Sequence, residues 1–244
     1  MAARPAAGRG PPAGADAPDG PPRRGTARSR RRAVLLTDDL GALGRAAAGC
    51  RGCPLHAAAT QTVFGEGPER ARVVLVGEQP RDREDRAGEP FVGPAGGLLR
   101  RALEEAGLDA SEVCLTNAVK HFKFTVPEGG KRRIHKSPDL REMTACRPWL
   151  TAEPAAVRPR LVVALGATAG RALLGGPFRV GDHRGVLQPF PSPGGRGDGG
   201  APALPDARFL ATVHPSSVLR ARDRDAAYRG LVADLRVAAA ALQD

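Results

Sequence analysis

The chain has 244 residues, with 37 Lys and Arg against 26 Asp and Glu and a formal net charge of +11. Its longest apolar stretches, Leu161 to Leu165 and Val237 to Leu242, fall far short of the roughly 20 apolar residues a membrane-spanning helix needs, which excludes an integral membrane role. A chain of this length buries a core without disulfides. No secretory signal pattern is evident at the N-terminus, so the expected compartment is the cytoplasm, with the four cysteines reduced, metal-bound or packed.

Residues 1–36 carry six Pro, five Gly and eight Arg without hydrophobic periodicity, the composition of a disordered basic tail. Residues 37–244 form the expected single domain. From Asp38 the pattern alternates: a helix to about Gly49, a strand Arg72–Gly77, a helix Pro94–Ala106 and a strand Val113–Val119. Ser137 and Pro138 supply a cap and first-turn proline for a helix carrying Cys146. A strand Arg160–Gly166, a short helix Thr168–Leu174, a strand Arg208–Val213 and a closing helix Arg222–Leu242 follow. Short β-branched strands separated by helices imply an α/β domain with a parallel sheet covered on both faces. The Pro- and Gly-rich stretch Pro189–Pro205 reads as a surface loop without chemistry.

In parallel sheets ligands bind beyond the carboxyl ends of the strands. Three of the four strand ends are chemically dense: G-E-Q-P at 77–80, Asn117 with K-H-F-K at 120–123, and H-P-S-S at 214–217. The glycines after Gly77 do not form a phosphate loop, because its Lys and Ser/Thr are missing and Asp82, Glu84, Asp85 and Glu89 repel phosphate. Glu84 reads as part of a solvated acidic loop, whereas Phe91 does not. Lys120 to Lys136 packs six Lys or Arg with Phe122 and Phe124 around Gly129 and Gly130. Cations interleaved with aromatics suit binding of a nucleic-acid strand, which is neutralised at its phosphates and stacked at its bases. Cys50 and Cys53 form a C-x-x-C that converges on a metal or cluster. Cys146, Cys114 and His121 are the remaining candidate ligands, and Cys114 lies within a core strand where a thiol also simply packs.

Taken together, the ordered C-x-x-C, G-E-Q-P, P-F-V-G-P-A-G, T-N-A-V-K-H-F-K-F, K-R-R-I-H, A-C-R-P-W-L and H-P-S-S resemble the UdgX-type uracil-DNA glycosylases of the iron-sulfur branch of the uracil-DNA glycosylase superfamily. The resemblance runs from about Asp38 to Leu242, and K-R-R-I-H is its discriminating element. It implies a central four-stranded parallel sheet and a four-iron-four-sulfur cluster on Cys50, Cys53, Cys146 and His121, with Cys114 as packing. One departure is Arg81, where the family usually has Gly.

For the site, the resemblance implies that Phe91 stacks uracil, that Asn117 and Gln79 take part in holding the base, and that His214 bonds a uracil carbonyl as charge develops. His135 is implied to attack the anomeric carbon, with Glu78 accepting or orienting its proton. Gln79 and Arg133 are expected to position the loop and a DNA phosphate, Asp82 and Asp85 to give supporting hydrogen bonds, and Lys131, Arg132, Ser216 and Ser217 to contact DNA. The implied partner of this monomer is uracil-containing DNA, preferably single-stranded. Hydrolytic turnover, or DNA binding without cleavage, are the alternatives.

Overall fold

A computed structural model describes Met1, residues 37–190, Leu204 and residues 206–243. The expected tail, apart from Met1, and most of the Pro189–Pro205 loop lie outside those residues. Four parallel strands form the core: β1 (Val73–Gly77), β2 (Val113–Asn117), β5 (Leu161–Leu165) and β7 (Arg208–Thr212), in the order β2-β1-β5-β7. This bears out the expected α/β sheet and adds to it. A two-residue strand β6 (Gln188–Pro189) pairs antiparallel with β7 at the edge, making the sheet mixed and five-stranded.

Every residue of β1 and β5 is buried, as expected for strands covered on both faces. Side chains alternate across a strand, so one face takes Val73, Leu75, Leu161, Val163 and Leu210, and the other takes Val74, Val76, Val162, Ala164 and Phe209. The first face packs against α3 (Pro94–Ala106) and α7 (Arg224–Ala240) through Leu98, Leu99, Leu231 and Leu235. The second packs against α1 (Leu40–Ala47), α4 (Leu140–Val157) and α5 (Ala167–Leu174) through Leu40, Leu150, Val157 and Ala169. Cys114 is fully buried in this second layer, as the packing reading expects.

Several boundaries differ from expectation for local reasons. Asp39 accepts from Ala42 N at 2.8 Å and caps α1. β2 stops at Asn117, because the chain bends across the end of β1: Ala118 N donates to Gly77 O at 2.9 Å and Val119 N to Glu78 O at 3.0 Å. Ser137 and Pro138 do not start α4. Asp139 does, in a capping box with Glu142 whose two bonds measure 3.0 and 2.7 Å, an arrangement that satisfies two otherwise orphaned N–H groups. Asp223 caps α7 in the same manner, accepting from Ala226 N at 2.8 Å, so that helix begins after Arg222. Within the Pro189–Pro205 segment, Pro189 is exposed as expected of a surface loop, but Phe190 and Leu204 are buried.

Further elements near the ends of β1 and β2 were not expected. The acidic stretch after β1 contains a short helix, α2 (Asp82–Ala87), closed by Gly88 at φ 82°. The basic segment folds into a hairpin of β3 (Phe124–Thr125) and β4 (Ile134–His135), with Phe124 opposite His135.

Candidate active site

Register alone brings the ends of β1 and β2 together, because Gly77 stands opposite Asn117. A side chain at Gly77 would collide with Asn117 and would approach Phe91 Cζ to 2.7 Å, so glycine there lets Phe91 fold over the strand end. Phe91 itself is held at φ 57°, a left-handed conformation costly for a bulky residue and typical of functional positions. Two devices hold it. Arg100 Nη1 donates to Phe91 O at 3.0 Å, and Gly96 leaves the space that this carbonyl fills. Asn117 is buried, and its side-chain amide makes no hydrogen bond to any described residue, while its carbonyl accepts from Lys120 Nζ at 2.6 Å.

His214 follows β7 and caps the four-residue helix α6 (Pro215–Val218). Its Nδ1 accepts from Ser216 N at 3.1 Å, which assigns the ring proton to Nε2. Burial, with the charges of Arg81 and Arg220, pushes its pKa down to about 4, so the imidazole is neutral near pH 7. The Phe91 and His214 rings face each other at 6.3 Å between centroids and 23° between planes. Together with Asn117 and Pro80 they wall a slot of about 20 Å³, which has room for about one water but not for a ring.

The slot adjoins a cleft of about 360 Å³ lined by Glu78, His135, Thr168 and His214. His135 Nε2 stands 3.1 Å from Glu78 Oε1. The contact is of ion-pair length but off the line of a hydrogen bond, so Oε1 keeps no aligned partner, while Oε2 accepts from Thr168 Oγ1 at 2.8 Å. Burial works to raise the Glu78 pKa, and contacts with His135, Thr168 and Ser137 outweigh it, holding the carboxyl at about 2. Glu78 is therefore a fixed negative charge beside the imidazole.

The hairpin carrying His135 is tied down by side chains. Gln79, 5 % exposed, accepts from Lys123 N at 3.0 Å and donates to Lys136 O at 2.8 Å. Both its amide oxygen and its NH2 group are thus engaged in positioning the loop. Arg133 donates to Asp85 at 2.6 Å, pairs with Asp82, and lies over the Phe122 and Phe124 rings at 5.4 and 4.9 Å. Its guanidinium, too, is taken up in holding the hairpin to α2. Asp85 also accepts from Thr60 N at 3.0 Å. Glu84 is not solvated: it is buried and accepts from Gly93 N at 2.9 Å and from Arg81 N at 3.2 Å. Lys131 and Arg132 are exposed at the hairpin tip. Ser216 is buried, and exposed Ser217 donates its hydroxyl to His214 O at 2.7 Å. Thr168, Ser137 and Arg220 escaped the sequence reading. Thr168 follows the one strand end that looked chemically empty, so the strand-end rule itself was the available signal.

On the far side of Lys120, Cys50, Cys53 and Cys146 are buried in one apolar cluster with Leu43, Val119 and Trp149. Trp149 Nε1 donates to Cys50 Sγ at 3.2 Å and Lys120 N to Cys146 Sγ at 3.3 Å. Burial pushes the Cys53 thiol up and Cys146 to about 11. Cys114 is held at about 12 by burial in the other cluster. His121 is buried, with Nε2 3.0 Å from Thr62 Oγ1, and its Nδ1 is buried without a partner. Burial and His56 lower its pKa, which favours the neutral, ligating form. No group of three or more His, Cys, Asp or Glu among the described residues is arranged to hold a single metal ion. Three buried thiols, two of them receiving N–H bonds, plus an unpartnered imidazole nitrogen fit instead a cluster in which each donor takes its own iron.

A family model described as the uracil DNA glycosylase superfamily matches residues 64–236, which include the slot, the hairpin and the cleft but begin after Cys50 and Cys53. The type-4 uracil-DNA glycosylase of Pyrobaculum aerophilum is 34% identical over 171 residues, covering 70% of this chain and 80% of that protein. That of Thermotoga maritima is 34% identical over 176 residues, covering 72% and 81%. That of Archaeoglobus fulgidus is 38% identical over 122 residues, covering 50% and 57%. With a match over most of its length and the strand ends of the sheet forming one slot and cleft, the chain belongs to the uracil DNA glycosylase superfamily.

Proposed function

We propose that this protein excises uracil from DNA and becomes covalently joined, through His135, to the abasic sugar it creates. The observation that carries the reading is His135 Nε2 at 3.1 Å from Glu78 Oε1, on a cleft wall shared with His214. Enzymes that act on a base take it from single-stranded DNA or extrude it into a fitted slot. Here Phe91 supplies the stacking face, and the free amide of Asn117 takes the uracil edge, accepting from the ring N–H and donating to a carbonyl. The slot must widen to admit a ring.

As the bond between the anomeric carbon and N1 breaks, its electron pair leaves with uracil and the sugar becomes cationic. His214 donates its Nε2–H to a uracil carbonyl as negative charge builds there, which is electrostatic stabilisation aimed at the transition state. Glu78, held ionised, stabilises the sugar cation from the opposite side. A lone pair on a His135 ring nitrogen then forms the new bond to the anomeric carbon. The resulting imidazolium sheds its other ring proton to solvent, and the uracil anion takes a proton from water. Glu78 at about 2 is too weak a base to remove that proton in advance, so its role is to orient and to stabilise charge. Cys50, Cys53, Cys146 and His121 would hold a four-iron-four-sulfur cluster, which would staple the segment before β1 to α4. Lys131, Arg132 and Ser217, all exposed, and Ser216 meet DNA phosphates in this reading.

The protein is incubated with uracil-containing single-stranded DNA and run on a denaturing gel. The expected product is a heat-stable shifted band that is lost in His135→Ala. Alkali-labile abasic sites without a band support hydrolytic turnover, as befits a chain with type-4 relatives. If neither product forms, the enzymatic reading is overturned.

A further inference from the structure

Arg81 leaves β1 in an extended conformation, φ −110° and ψ −172°, so nothing in the turn requires glycine there. Its side chain turns away from α2 and crosses to α6, where Nη2 donates to Ser216 Oγ at 3.3 Å. Arg220 stands close enough that its charge, after burial, lowers the Arg81 pKa. Among the described residues no carboxylate lies within ion-pair distance of either guanidinium. The two nearby acids are committed elsewhere: Glu78 to Thr168 and His135, and Glu84 to the backbone of Gly93 and Arg81. A half-buried cation without an anion is costly to keep. Arg81, tied to Ser216 Oγ and lining the cleft beside the exposed Arg220, describes a site whose anion comes from outside.

The direction they face identifies that anion. Arg81 lines both the slot and the cleft, but Ser216 and Arg220 line the cleft with His135 and not the slot with Phe91 and Asn117. The guanidinium therefore ends on the sugar side. A nucleotide with its base in the slot and its anomeric carbon at His135 brings its own phosphate to this corner.

We propose that Arg81, with Arg220 and Ser216, seats a phosphodiester flanking the extruded nucleotide and thereby sets the distance between sugar and His135. This rests on reading the cleft as a uracil-excision site. Bidentate donors suit phosphate geometry better than a lysine point charge does. The seat is separate from Lys131 and Arg132, which follow the strand from the hairpin tip.

The test uses the full chain and a single-stranded oligonucleotide with one deoxyuridine, 2′-fluorinated to resist excision. In two further oligonucleotides one flanking phosphate is replaced by a neutral methylphosphonate. Binding is measured by fluorescence anisotropy over a salt series. With the unaltered protein, the neutral linkage on one side weakens binding about tenfold, the loss of one charge-assisted contact. Arg81→Gly binds more weakly, no longer distinguishes that linkage, and has a salt slope reduced by about 0.7. Arg81→Lys, which leaves less room for misfolding, keeps the slope but not the full affinity. If both linkages cost Arg81→Gly what they cost the unaltered protein, or if its salt slope is unchanged, the seat is wrong and Arg81 is merely a tie to Ser216. Uracil release from the unfluorinated oligonucleotide is scored separately: its absence sinks the excision reading, while the phosphate coupling is still read from binding.

Discussion

The base side of the cleft and the hairpin side are built by different means. Phe91, Asn117 and His214 hang from the sheet: Asn117 by its register opposite Gly77, His214 by following β7, and Phe91 by folding over a glycine at the end of β1. His135 stands on a hairpin of two two-residue strands, paired only as Phe124 with His135 and Thr125 with Ile134. What keeps the hairpin in place is a set of side-chain ties from Gln79, Arg133 and the ring stack of Phe122 and Phe124. On the proposed reading, the slot for a base comes with the sheet, whereas the nucleophile His135 is an addition that side chains must hold. Leaving-group chemistry and capture chemistry are therefore separable by mutation.

The sharpest break comes from the two histidines. His214→Ala removes a preorganised donor from the departing uracil and lowers the excision rate by about 10²–10³-fold. Covalent band formation falls in parallel, since capture follows excision. His135→Ala removes the band but leaves uracil release. Single-turnover assays that follow free uracil and the gel band from the same samples decide the matter. Equal loss of uracil release in both variants would mean that the two sides are not independent.

A subtler break targets the ties. Arg133→Ala frees the hairpin from Asp82 and Asp85 and leaves Asp85, whose side chain is fully buried, without its cation. A displacement of about 1 Å at a reacting group costs on the order of 10²-fold, and it falls on His135 alone. The band should form about 10²-fold more slowly while uracil release stays within a few-fold. Reduced release with an unchanged ratio of band to free uracil would show that Arg133 supports the whole cleft and not just its nucleophile.

The sheet was legible because each core strand is a short apolar run followed by a helix, and the strand-end rule then led directly to Glu78, Asn117 and His214. The ties were not. α2 is a helix of charged residues whose burial depends on Arg133 arriving from 48 residues away, so its local composition reads as solvated. Glu84 misled for the same reason: it is buried to satisfy backbone N–H groups, which composition does not reveal. Asp139 displaced Ser137 as the cap of α4 because Glu142 completes a reciprocal box with it. Gln79 lay in the right motif, but only the folded hairpin shows that its amide ties the loop.

The smallest effect is on stability, and it separates the two sides by pH. His214 has its pKa lowered to about 4 in the folded protein, against about 6.5 for an unperturbed imidazole. Between those values the unfolded chain binds the proton and the folded one does not, so stability falls as pH drops from 6.5 toward 4. The slope from this group is at most one proton, about 1.4 kcal/mol per pH unit. Glu78 is depressed to about 2 from 4.5, so its contribution is intact above pH 4.5 and lost only as pH falls from there toward 2. Thermal melts of His214→Asn should lose part of the slope between pH 6.5 and 4 and keep the steep loss below 4.5, whereas Glu78→Gln should do the reverse. An unaltered upper window in His214→Asn would place the buried neutral imidazole elsewhere, with His121, whose pKa burial also lowers, as the next residue to replace.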